Sequence, residues 1–164
     1  MKITKRELRQ LIMEMIRQNE PGYRMTYPPD TKAMRINYTA LVLDEQSHQL
    51  LAQYAPPGWK VFAHHMTLIA PTHQKGSRLP DYYLNQPAQI VISGIVGDDR
   101  VMAGVVDVMD SDNLPIKGPS FPHVTICTNP ATKGKPFHSN QLDPSMAQPI
   151  QPIALTGTIQ EILR

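Results

Sequence analysis

Two short segments hold the residues whose types and spacing suit chemistry: His65-Met66-Thr67-Leu68 and His123-Val124-Thr125-Ile126. Each reads His-apolar-Thr-apolar inside a run of strand-forming residues. Side chains of a strand alternate between faces, so His65 and Thr67 share one face while Met66 and Leu68 share the other. The same alternation separates His123 and Thr125 from Val124 and Ile126. Each segment would anchor itself in a core and show an imidazole and a hydroxyl to a cleft. Imidazole titrates near neutral pH, so one ring can take a proton while the other gives one. The two hydroxyls can donate to non-bridging oxygens of an anion held between them. That set suits in-line displacement at phosphorus: one His deprotonates the attacking oxygen and the other protonates the leaving oxygen. Which ring does which is not readable from the spacing.

Metal coordination is the chemical rival. His64 and His65 are adjacent, so on a strand they point to opposite faces and cannot chelate together. Zinc sites take three or four ligands, and no Cys pair or carboxylate stands at ligand spacing from these histidines. The reading is therefore no metal and no cofactor. A single His-x-Thr segment would be ordinary, because Thr is a good strand former and a lone strand His is usually a packing residue. The duplication is what points to a site. Among the other candidates, His64 reads as core-side and structural, and His48, His73 and His138 have no partner pattern. Trp59 reads as a packing residue, and Tyr82-Tyr83 as partly buried rings able to stack a base. Lys75, Arg78, Lys117, Lys133 and Lys135 bracket the motifs and, gathered at a cleft, would attract a phosphate. Cys127 shares the His123 face by parity, but no base is spaced for thiol catalysis.

The elements that must position these residues are short. Arg35 to Leu43 and Lys60 to Ala70 read as strands, separated by a helix from Glu45 to Tyr54 with Asp44 as its cap. Ala88 to Val96 and Val101 to Val108 form a hairpin across Gly97-Asp98-Asp99-Arg100. Pro122 to Thr128 and Ile153 to Leu163 complete the set, with one short helix around His138 to Leu142. Ahead of them, Thr4 and Glu7 form a capping box for an amphipathic helix that ends at Pro21-Gly22. The expected organisation is an N-terminal helix at 1–22, a linker at 23–33 and a domain at 34–164. Roughly six strands with two or three helices make the expected class α+β.

Composition narrows the function classes. Sixteen prolines in 164 residues favour many short connections over a helical bundle. Hydrophobic residues at 41% and charged residues at 18% exclude a charged disordered tail as the main body. A net charge of +2 gives no global footprint for duplex DNA. One cysteine fits a reducing compartment, and no apolar run approaches the roughly 18 residues of a membrane span. The expectation is a soluble cytoplasmic protein without a membrane partner, of open oligomeric state.

The paired HMTL and HVTI motifs resemble those of the 2H phosphoesterase superfamily, over approximately Ile36 to Leu163. The resemblance implies a bilobal α+β fold with two small antiparallel sheets around a central groove. It implies metal-independent cleavage of nucleotide phosphodiesters, with His65 and His123 as the acid/base pair and Thr67 and Thr125 as phosphate binders. The stretch from Asn37-Tyr38-Thr39 through Trp59-Lys60-Val61 to the first motif is similar to phage anti-CBASS hydrolases of cyclic oligonucleotide signals, which would act in the host cytoplasm. In that branch Tyr38 would stack on a base and Glu161 would contact a base edge or position a catalytic group; Lys117, by its charge before the second motif, is the further expected substrate contact. The alternative branch processes RNA ends as 2′,3′-cyclic phosphodiesterases or 2′,5′-linkage enzymes. A non-catalytic nucleotide- or RNA-binding module, or a phage assembly protein with an oligomerising N-terminal helix, are the non-enzymatic alternatives.

Overall fold

The first strand, β1 (Ile36–Leu43, INYTALVL), buries Leu41 and Leu43 in the main core and leaves Tyr38 and Val42 half-buried. Alternation holds from Leu41 to Leu43, whereas Thr39 and Ala40 are both buried at a register irregularity between them. In this computed structural model the described residues are 36–70, Leu79, 81–109 and 116–163. The expected N-terminal helix and linker, and His73, Lys75 and Arg78, lie outside them. Asp44 caps α1 (Glu45–Ala52) as expected, accepting from the Ser47 amide at 2.8 Å. The Thr156 hydroxyl also donates to the Asp44 carboxylate, and the Thr156 amide donates to Ser47 Oγ at 2.8 Å. The cap thus ties the helix to the last strand and holds the Asp44 carboxyl below its usual range. No helix among the described residues is long and apolar enough to cross a membrane.

The expected continuous strand from Lys60 to Ala70 is broken. β2 (Lys60–Val61) and β3 (His65–Ile69) flank Ala63, which adopts a left-handed φ of 48°. The Phe62 and Ala63 amides bond the Ile126 and Thr125 carbonyls at 2.8 and 2.9 Å, fixing the kink. The hairpin is as expected: β4 (Pro87–Gly97) returns as β5 (Val101–Met109). Asp98 closes its turn by accepting from the Arg100 and Val101 amides. β6 (His123–Thr128) follows, then three short 3₁₀ turns and β7 (Gln148–Leu163), which begins five residues before the expected Ile153.

The expected α+β bilobal fold with two separate sheets is not what forms. Strands make up 51% of the described residues, and α1 is the single α-helix among them. The strand order is β2-β6-β3-β1-β7-β4-β5, and β5 pairs back onto β6. Six antiparallel strands therefore close into a barrel. The reason is the length of β7: residues 157–163 pair with β1 while residues 148–158 pair with β4, so one strand joins what would have been two sheets. Gly157 permits the close approach, because a Cβ there would lie 2.3 Å from the Val42 carbonyl oxygen. Inside sit Leu41, Met66, Leu68, Ile90, Ile126 and Leu155, all fully buried, each contributing about 1.5–3 kcal/mol through burial. Closure also removes the open sheet edges that would otherwise invite association.

Candidate active site

One face of the β6-β3-β1-β7 part of the barrel presents both His-x-Thr segments. Met66 and Leu68 fill the core from β3, and Val124 and Ile126 do so from β6. Alternation therefore turns His65 and Thr67, and His123 and Thr125, outward into a common cleft of about 640 Å³. β3 and β6 run antiparallel with Met66 opposite Val124. That register runs the flanking residues crosswise, with His65 level with Thr125 and Thr67 level with His123. Tyr38 and Val42 of β1, and Ile162 of β7, extend the wall. The loop at Gly118-Pro119 and the 3₁₀ turn Pro136–Gln141 complete it.

The two imidazoles are held differently. His123 is buried, its Nδ1 2.8 Å from the Phe121 carbonyl and its Nε2 2.8 Å from Ser139 Oγ. A carbonyl only accepts, so Nδ1 carries a proton and Nε2 is the nitrogen that can exchange one. The Ser139 hydroxyl lies 2.9 Å from Thr125 Oγ1 and donates to the Pro136 carbonyl at 2.6 Å. Burial pushes the His123 imidazole below its ordinary range, and the bond to Phe121 opposes that push. His65 packs its ring against Tyr38, with centroids 5.1 Å apart and planes tilted by 30°. Burial, then the neighbouring His64 and His123, push His65 down to about 4. The same burial raises the Tyr38 phenol above its usual value. None of the described lining residues is Asp, Glu, Lys or Arg, so a bound anion would meet imidazoles and hydroxyls.

The remaining candidates scatter. Glu161 is in register with Thr39, one position before the lining residue Ile162, so alternation places it on the opposite face of β7. Lys117 bridges in parallel to Ile69 of β3 through backbone bonds to Leu68 and Ala70 and is exposed, adjacent to the lining Gly118. His64 is exposed at the cleft and stacked on His48, with centroids 4.7 Å apart and planes 4° off parallel. The kink at Ala63 overturns its expected core-side place by ending the strand alternation before His65. Cys127, expected on the His123 face, is buried in the core, its thiol pushed up to about 11. Opposite the consecutive Met102 and Ala103 stand Cys127 and Thr125, so Ile126 is a bulge that resets parity. Trp59 packs on the core as expected, while Tyr82 is exposed outside the cleft lining.

Sequence reasoning missed Ser139, Phe62 and Phe137. The first and last lie on the 3₁₀ turn Pro136–Gln141, where a short helix is expected at 138–142 but no spacing marks a side chain as facing the cleft, and Phe62 precedes the kink. A family model described as the fungal tRNA ligase phosphodiesterase domain matches residues 1–151, which include both His-x-Thr segments. No curated protein gives a significant match.

Proposed function

The chain belongs to the fungal tRNA ligase phosphodiesterase domain family, a 2H phosphoesterase family, and on that premise we propose that it hydrolyses 2′,3′-cyclic phosphates at RNA ends. His65 and His123 are the proton-transfer pair, and Thr67 and Thr125 hold the phosphate. Water attacks phosphorus as one imidazole takes its proton. The bond from phosphorus to one ribose oxygen breaks, and the other imidazole protonates that oxygen. Tyr38, beside His65, gives the ribose or base an aromatic wall. The observation that carries the reading is the crosswise register of two His-x-Thr strands around one cleft.

The family favours RNA ends over cyclic oligonucleotide immune signals, which rest on the likeness of the sequence around Tyr38 and Trp59. Purified protein in EDTA, given a nucleoside 2′,3′-cyclic phosphate and a cyclic dinucleotide in parallel, tests both. Turnover of the former is expected. Turnover of only the latter would reverse the choice of substrate. A need for added divalent metal would overturn the mechanism. Binding without turnover would reduce the protein to a nucleotide-binding module.

A further inference from the structure

We propose that Ser139 is a positioning residue whose hydroxyl stands in for an oxygen of the substrate phosphate and yields that place when the phosphate binds. The inference rests on the phosphodiesterase reading above and concerns a residue outside both motifs. His123 Nδ1 is committed to the Phe121 carbonyl, so proton transfer falls to Nε2. An imidazole nitrogen presents one in-plane direction, and Ser139 Oγ occupies it at 2.8 Å. Thr125 Oγ1, the hydroxyl assigned to the phosphate, lies 2.9 Å from the same oxygen. The two groups that should meet the substrate therefore converge on one protein oxygen.

Proton counting matches the substitution. Ser139 has one hydroxyl proton and donates it to the Pro136 carbonyl within its own turn. Its oxygen then accepts from Thr125 and, when His123 is charged, from Nε2–H. Two donors on one oxygen is the arrangement a non-bridging phosphate oxygen would take. A charged oxygen forms hydrogen bonds about twice as strong as a neutral hydroxyl does, so exchange favours the phosphate. While Ser139 stays, His123 Nε2 has no direction left for a substrate oxygen. The turn Pro136–Gln141 must therefore give way at Ser139 while Ser120 still holds it through the Asn140 carbonyl at 2.7 Å.

The test titrates inorganic phosphate into the full chain and follows the histidine ring resonances, for wild type, Ser139→Ala and Ser139→Thr. Removing the contacts to Thr125 and His123 that phosphate must displace should tighten phosphate binding about five- to thirtyfold in Ser139→Ala. Ser139→Thr, which keeps the hydroxyl, should bind as wild type. With a 2′,3′-cyclic nucleotide, KM should fall by a similar factor while kcat moves less than about threefold. Unchanged or weaker phosphate binding in Ser139→Ala would overturn the proposal. So would a large loss of kcat at constant KM, which would mean that Ser139 stays in place during the chemistry. If phosphate moves neither His65 nor His123 in any of the three proteins, the phosphate site itself fails, and this inference with it. If Ser139→Ala does not fold, amide exchange of residues 136–141 in wild type decides: faster with phosphate supports displacement, slower or equal overturns it.

Discussion

The β3 and β6 halves of the cleft carry the same side chains in the same alternation, but other elements give them different surroundings. On β6, His123 is fixed at both ring nitrogens, by the Phe121 carbonyl and by Ser139 from the turn Pro136–Gln141. On β3, His65 lies against the Tyr38 ring of β1 and beside His64, itself stacked on His48 of α1. Burial lowers both rings; two further imidazoles push His65 lower still, whereas a carbonyl bond holds His123 up. The local motif supplies two equivalent imidazoles; the rest of the barrel makes them unequal. A proton-transfer pair needs that inequality, because one ring must be neutral while the other is charged.

Removing either ring is the harshest way to break the comparison. His65→Ala and His123→Ala should each lower kcat by about 10²–10⁴, and the double variant should be little worse, because the rings act as a unit. Full turnover in one variant, with melting unchanged, would show that only one half of the cleft works. The threonines sharpen the comparison at smaller cost. A hydrogen bond to a charged group is worth about 1.5–3 kcal/mol, so Thr67→Val and Thr125→Val should each lower kcat/KM about ten- to hundredfold. Thr125 exchanges a bond to Ser139 for the one to phosphate, so its loss should lie toward the lower end. Equal losses would remove Ser139 from the account, and a large drop in melting temperature without loss of kcat/KM would make the hydroxyls packing groups.

What was legible in the sequence is what alternation within one strand determines. The outward faces of His65, Thr67, His123 and Thr125 follow from the apolar residues between them, and so does the core role of Met66 and Val124. Alternation says nothing about which strand lies next to which. The closure of β5 onto β6 and the joining of β1 to β4 by β7 are long-range pairings, and they turned two expected sheets into one barrel. It also fails where the backbone departs from the ladder. Ala63 at positive φ and the bulge at Ile126 each reset the parity, so His64 and Cys127 exchanged their expected environments. Ser139 was invisible for a third reason: a residue on an aperiodic turn becomes part of a site only through the tertiary contact that puts it there.

The smallest effect concerns protons. His65 is held at about 4 and His123 also below the ordinary value of 6.5. With both rings lowered on folding, the unfolded chain binds protons first as the pH falls. Their contribution to stability is therefore complete above about pH 6.5 and declines toward about 4. Catalysis needs one ring charged and one neutral, so kcat/KM should be bell-shaped, with the limbs belonging to the coupled pair and both lying below pH 6.5. His64 offers a fine adjustment, because its own charge disfavours a charge on His65. His64→Asn should raise the acidic limb by a few tenths of a pH unit, about the scale of one partly screened neighbour, and leave the alkaline limb in place. Rate profiles of wild type and His64→Asn between pH 3.5 and pH 8 on a 2′,3′-cyclic nucleotide measure both limbs. An acidic limb centred at or above 6.5 would mean that burial does not hold His65 neutral. Movement of both limbs together would mean that His64 acts on the cleft as a whole, and the difference between the two halves would then lie in their contacts and not in their charge.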